Sequence, residues 1–163
     1  MDKKEKIILG IDPGTNRIGY GVIKVNGKKT SYVTSGLLEI EEKYAPDQLK
    51  KIYDKISKVV DEYSPQIASV EKLFFSNNKK TAMAVAEARG VILLALATKK
   101  IKIIEVSPNE VKQMVTGHGG ADKRAVMKMI GLILGLTDFR PTDDTSDALA
   151  IAIAGSVMAP YDR

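Results

Sequence analysis

A chain of 163 residues that is 44% hydrophobic can bury one sizeable core, and it reads as a single domain over 1–163. Zero cysteines exclude disulfides, thiolate zinc sites and cysteine nucleophiles, which leaves carboxylates and one histidine, His118, for metal or acid/base chemistry. The net charge of +5 is concentrated centrally, because Lys72 to Lys128 holds eleven Lys or Arg against four Asp or Glu. That excess suits a polyphosphate backbone if folding gathers it, and decorates solvated faces if it does not. No run of eighteen apolar residues occurs, and Asp12 interrupts the apolar stretch of MDKKEKIILGIDPG, which therefore lacks a signal-peptide pattern. The chain is expected to be soluble, free of membranes and cytoplasmic.

In chain order, residues 6–12 read as a strand, PGTN as a turn and 17–25 as a second strand. NGKK then turns a hairpin into a third strand over 30–40. Leu49, Ile52, Ile56, Val59 and Val60 recur at helical spacing up to Tyr63, before Pro65. A fourth strand is expected over 66–75, with Glu71 following the apolar run IASV as Asp12 follows IILGI. Residues 79–100 form a long helical candidate whose part GVILLALA is apolar on every face, so it is either core or a surface for a partner subunit. A strand over 101–106 leads to SPNE, with Ser107 as cap, Pro108 in the first turn and Glu110 completing a capping box. After the glycines of TGHGG, Asp122 can cap a further helix to about Gly135, and a last helix starts near Thr142 or Asp143.

Acids crowd that last helix start. Asp144 and Asp147 are three apart and Asp143 and Asp147 four apart, so either pair shares a helical face. Capping and the helix dipole account for Asp143, but poorly for Asp147, which sits a turn inside and directly before ALAIAIA. Asp12, Glu71, Asp144 and Asp147 together make a carboxylate set that needs cations. Hard oxygen donors select magnesium or manganese, and two such ions about 3.5–4 Å apart stabilise the attacking and leaving oxygens of phosphodiester hydrolysis.

Four ordered motifs, GIDPGTNRIGYGVI, SVEKLFFSNNKKTAMAVAEARG, VSPNEVKQMVTGHGGADKRAV and DDTSDALAIAIA, resemble those of RuvC-type Holliday junction resolvases over nearly the whole chain. The resemblance implies an α/β, ribonuclease-H-like fold with a central mixed five-stranded sheet flanked by helices. It implies a homodimeric Mg2+-dependent endonuclease, with Mn2+ substituting and two ions per site, that nicks four-way DNA junctions symmetrically in recombination and repair. Asp12, Glu71, Asp144 and Asp147 match the family's catalytic, metal-holding acids. Some relatives carry histidine where this chain has Asp144, so no histidine ligand is expected. Asp143 is left as a cap, although a register in which it helps hold metal stays open.

Lys112 and Lys123 match lysines that support DNA binding and phosphate chemistry, and Lys123 follows a glycine-rich loop from which an ammonium reaches a phosphate. A solvated helix charge is the alternative for Lys112. Phe74 matches an aromatic that contacts junction bases, whereas Phe75 is expected in the core; Lys79 and Lys80 extend the DNA-binding set. His118 reads as a solvated loop residue. The two-fold symmetry of a junction asks for paired sites on a dimer, for which Ala86, Gly90 and Leu94 offer small or smooth packing positions. A branch-migration helicase is the further partner implied. The rival readings are an actin-like or sugar-kinase-like phosphotransferase, whose two domains 163 residues can hardly hold, and a binder of branched DNA without catalysis, against which the full acidic set argues.

Overall fold

The computed structural model describes residues 5–73, 79–137 and 141–159, without the side chains of Lys79 and Lys80. Phe74 and Phe75 lie outside the described residues. The chain runs β1 (Lys6–Asp12), β2 (Arg17–Asn26), β3 (Lys29–Glu39), α1 (Ala45–Tyr63), β4 (Ile67–Glu71), α2 (Lys79–Thr98), β5 (Lys102–Val106), α3 (Pro108–Thr116), α4 (Lys123–Leu134) and α5 (Asp143–Met158). The strands form one mixed sheet in the order β3-β2-β1-β4-β5. β1, β2 and β3 pair antiparallel, and β4 joins both β1 and β5 in parallel.

Strand alternation splits the core into two layers. Leu9, Ile11, Ile18, Val22, Ala68 and Val70 face α1 and α2. Ile8, Ile23, Ile67 and Val106 face α3, α4 and α5. On the second face α5 lies almost on the backbone of the sheet: a Cβ at Gly10 would stand 2.1 Å from the Ala148 carbonyl oxygen, and one at Gly19 would stand 2.2 Å from that of Asp144. Only glycine permits that approach, and it brings the start of α5 down to the end of β1.

Several boundaries differ from the sequence expectation for local reasons. β4 stops at Glu71 rather than continuing to 75, because its partner β5 ends at Val106. There the Ser107 capping box turns the chain into α3, with Glu110 N–H donating to Ser107 Oγ at 3.2 Å and Ser107 N–H to Glu110 Oε2 at 2.7 Å. α2 ends at Thr98, two residues early, through a Schellman closure. Ile101 N–H reaches the Leu96 carbonyl at 3.1 Å, Lys100 N–H reaches that of Ala97 at 2.9 Å, and Lys100 takes the left-handed position at φ 58°. The cap of α5 is Thr142, in extended backbone, so Asp143 is the first helical residue and not the cap. Asp122 does cap α4, its Oδ1 accepting from Ala125 N–H at 2.8 Å.

The all-apolar helix proves two-faced. Ala88, Ile92, Ala95 and Leu96 of α2 are buried in the α1 layer, while Met83 and Leu94 are 66% and 58% exposed on the outward face together with Gly90. Its segment Thr81–Thr98 is long and apolar enough by composition to cross a membrane, yet its inward residues belong to the core.

Candidate active site

β1 and β4 end side by side, with the register running Gly10↔Ser69 and Ile11↔Val70. The next step places Asp12 beside Glu71, and alternation turns both carboxylates toward α5, the face of Gly10 and Ser69. The Asp144 backbone lies over Gly19, the antiparallel partner of Asp12. One helical turn further, half-buried Asp147 closes on the same point. The crevice therefore opens beyond the carboxyl ends of parallel strands, where α/β sheets leave room for ligands.

The electrostatics record the crowding. Burial, then the charges of Glu71, Asp147 and Asp144, push the Asp12 carboxyl up from its ordinary 3.8 to about 7, against a lowering by Lys123. Burial and Asp147 raise Glu71 as well. Burial also raises Asp147, with Lys123 opposing and Asp143 and Asp144 adding to the shift. Among the described residues, burial and mutual repulsion outweigh the opposing charge of Lys123 at Asp12 and Asp147. The chain's own cations engage its outer members: Lys123 Nζ lies 3.1 Å from Asp143 and 4.0 Å from Asp147, and Arg17 lies 3.1 Å from Asp144. The hydrogen bond to Asp143 leads the causes that raise the Lys123 ammonium. An open cleft of about 320 Å³ is lined by Glu71, Lys112, Lys123 and Asp147 with Pro108, Val111, Val126, Ala150 and Ile151.

Among the described residues no three acids or imidazoles converge into a ready cage. The donor set nevertheless fits a hard divalent cation, because magnesium retains several waters and takes only one or two carboxylates at each ion. Burial first, and then repulsion among neighbouring acids, raises the proton affinity of Asp12, Glu71 and Asp147, and a cation in their midst would oppose both effects.

Of the residues singled out in the sequence, Asp12, Glu71, Asp144, Asp147 and Lys123 come together, and Lys112 joins them on the cleft wall. Asp143 enters through Lys123 rather than as a cap. His118 is exposed in the turn between α3 and α4 and does not line the cleft. Phe74 is outside the described residues, as are the side chains of Lys79 and Lys80.

Two arginines have places at the site that the sequence does not announce. Arg17 opens β2 and reaches Asp144. Arg89, only 13% exposed on α2, donates from Nε to the Glu71 carbonyl at 2.8 Å and pairs with Glu105 on β5, fixing the end of β4. A lone arginine within AEARGVILLALA is the available signal, since a charge on a buried helix demands a partner. Arg17 offers none, because its partner lies at the far end of the chain.

A family model described as "Crossover junction endodeoxyribonuclease RuvC" matches residues 8–155. The chain is similar to the crossover junction endodeoxyribonuclease RuvC of Alkaliphilus metalliredigens, at 43% identity over 90% of each chain. With that of Thermotoga petrophila it shares 45% identity over 89% of this chain and 88% of the relative. Among solved structures it resembles Thermus thermophilus RuvC in complex with a Holliday junction substrate, with a TM-score of 0.86 and 29% identity over 93% of both chains. The mixed five-stranded sheet flanked by helices is accordingly the ribonuclease-H-like fold expected.

Proposed function

The chain belongs to the RuvC family of crossover junction endodeoxyribonucleases, and from that premise we propose how its own residues cut a four-way DNA junction. It is an endonuclease of Holliday junctions in recombination and repair, of a family whose nucleases are metal-dependent. The finer reading is two Mg2+ ions per site, with Mn2+ able to substitute. The observation that supports it is the placing of Asp12 and Glu71 at the paired ends of β1 and β4, with Asp144 and Asp147 brought over them by the start of α5.

Asp12, Glu71 and Asp147 would hold the cations, with Asp144 beside them at the start of α5. Bound there, divalent ions supply Lewis-acid stabilisation of the attacking and leaving oxygens of the scissile phosphodiester. Rigid strand ends fix Asp12 and Glu71, so their orientation needs no reorganisation when substrate arrives. Lys123, 53% exposed at the first turn of α4 beside Asp143 and Asp147, is placed to donate to a non-bridging phosphate oxygen. Lys112 extends the positive wall along the DNA backbone. Phe74, following the end of β4, is assigned to base contact, and Lys79 and Lys80 to phosphate contact.

Symmetric nicks need paired sites, so the working form is a homodimer. The exposed apolar face of α2, with Met83, Gly90 and Leu94, supports its use as the dimer surface, and Gly90 leaves open space where a partner side chain can enter. A branch-migration helicase remains the further partner of this reading.

The test is incubation of the protein with a labelled synthetic four-way junction and a linear duplex, with Mg2+ or with chelator, resolved on a denaturing gel. Paired nicks in opposite arms of the junction alone, in two strands of like polarity and dependent on metal, are expected. Asp12→Asn, Glu71→Gln and Asp147→Asn are each expected to abolish nicking while junction binding persists. Junction binding without nicks in any divalent metal overturns the catalytic reading, and near-normal nicking by one variant removes that residue from the metal set.

A further inference from the structure

We propose that Arg17 is a positioning residue that guards the metal site: its guanidinium pairs with Asp144, competes with a cation for that carboxylate, and has Glu39 as its alternative partner. The proposal rests on Asp144 facing the metal, and goes beyond it by giving the site a competitor supplied by the same chain.

Arg17 Nη2 stands 3.1 Å from Asp144 Oδ2, with side chains 59% and 35% exposed. The pair is therefore accessible to solvent and weak enough to exchange, since such pairs contribute only about 0–1 kcal/mol. Its geometry is set by the backbone on both sides. Asp144 is held by the contact of its own carbonyl over Gly19, and Arg17 lies two residues back along the same strand. Both carry the face of the sheet that meets α5, so the guanidinium reaches Asp144 without crossing the sheet.

The same strand provides the second position. Arg17 is registered directly opposite Glu39 of β3, at the distance where opposite charges interact across strands. Glu39 is exposed, and its backbone carbonyl, rather than its carboxylate, accepts from Lys55 Nζ at 2.8 Å. Arg17 thus stands between two carboxylates and pairs with the one at the metal site. A divalent cation competes for Asp144 with twice the charge of the guanidinium, while Glu39 lies beyond the strand-end cluster and is no rival for the ion. Cation entry and the movement of Arg17 to Glu39 are then one exchange. It leaves no guanidinium without a partner.

The experiment counts bound Mn2+ by the electron paramagnetic resonance of the free ion, without DNA, in the full chain and in Arg17→Met, Arg17→Gln, Glu39→Gln and Arg17→Met/Glu39→Gln. Removing the guard is expected to tighten Mn2+ binding by about two- to fivefold, in both single Arg17 variants. Removing the landing point is expected to weaken binding about two- to threefold when Arg17 is present, and to have no effect when it is absent. Unchanged affinity in both Arg17 variants overturns the proposal, and so does an equal effect of Glu39→Gln in the two backgrounds, which marks through-space charge alone. Asp144→Asn separates the premise from the inference: if it binds Mn2+ as the unaltered chain does, Asp144 is not at the metal. If it binds more weakly while the Arg17 variants do not change, only the guard fails.

Discussion

Replacing Asp12 by asparagine should stabilise the protein that it disables. Asp12 titrates near 7 in the fold against its ordinary 3.8, so the native state binds its proton more tightly than the unfolded chain does. The folded protein therefore carries no penalty from this group below about pH 3.8, loses stability as the pH rises toward 7, and carries the whole penalty above it. At about 1.4 kcal/mol for each tenfold difference in proton affinity, the full penalty is about 4 kcal/mol. The asparagine side chain is neutral at every pH and nearly isosteric, so it removes that penalty and relieves Glu71 and Asp147 of a neighbouring charge. Urea unfolding in chelator should show Asp12→Asn more stable by about 2–4 kcal/mol at pH 8, with the advantage shrinking toward zero near pH 4. Magnesium should then stabilise the unaltered chain more than the variant, narrowing the difference from the other side. Equal stability of the two proteins at pH 8 in chelator refutes the reasoning, because it means the carboxylates are already neutralised.

Gly10→Ala forces a Cβ to within 2.1 Å of the Ala148 carbonyl oxygen and 2.5 Å of the Ala152 nitrogen, both backbone atoms, so α5 must lift. A loss of about 1–3 kcal/mol is expected in thermal unfolding, together with loss of nicking under conditions where the variant is folded. Arg89→Met strips the Glu71 carbonyl and Glu105 of their shared partner, and should lower kcat with little change in junction binding, measured in single-turnover cleavage and by gel shift. Leu94→Asp places a charge on the outward face of α2, and sedimentation should report monomers whose helix content is unchanged and whose nicks are no longer paired. Lys112→Ala should lower the dependence of log affinity on log salt by about one, read by fluorescence anisotropy on a labelled junction.

What the sequence made legible was each place where one residue broke a pattern. Asp12 and Glu71 stood out because a carboxylate ends an apolar run, and the structure puts those two run-ends on neighbouring strands. The capping box at Ser107 and Glu110 is a signal four residues long, and the helix begins where it says. Asp143 misled because capping is decided by which single residue takes extended backbone. Thr142 does so, with its hydroxyl 3.0 Å from that of Thr145, which leaves the Asp143 carboxylate free for Lys123. The two faces of α2 were illegible for a different reason: leucine and alanine all round a helix carry no periodicity, so burial is assigned by the neighbours alone.

The close approach of α5 was written in the sequence, but only its outcome gives the glycines meaning. Within GIDPGTNRIGYG only PGTN reads as a turn, and Gly10 and Gly19 fall in the strands expected over 6–12 and 17–25. The structure adds why glycine stands there: the missing Cβ lets a helix of alanines rest on the sheet. That packing burdens the fold, since it drives Asp144 and Asp147 against Asp12 and Glu71, while Arg17 and Lys123 pair with the outer acids among the described residues. A protein selected for stability alone would separate these groups. The same glycines that hold the helix close thus create the crowding, so the electrostatics of the cleft are set by Gly10 and Gly19 as well as by the carboxylates themselves.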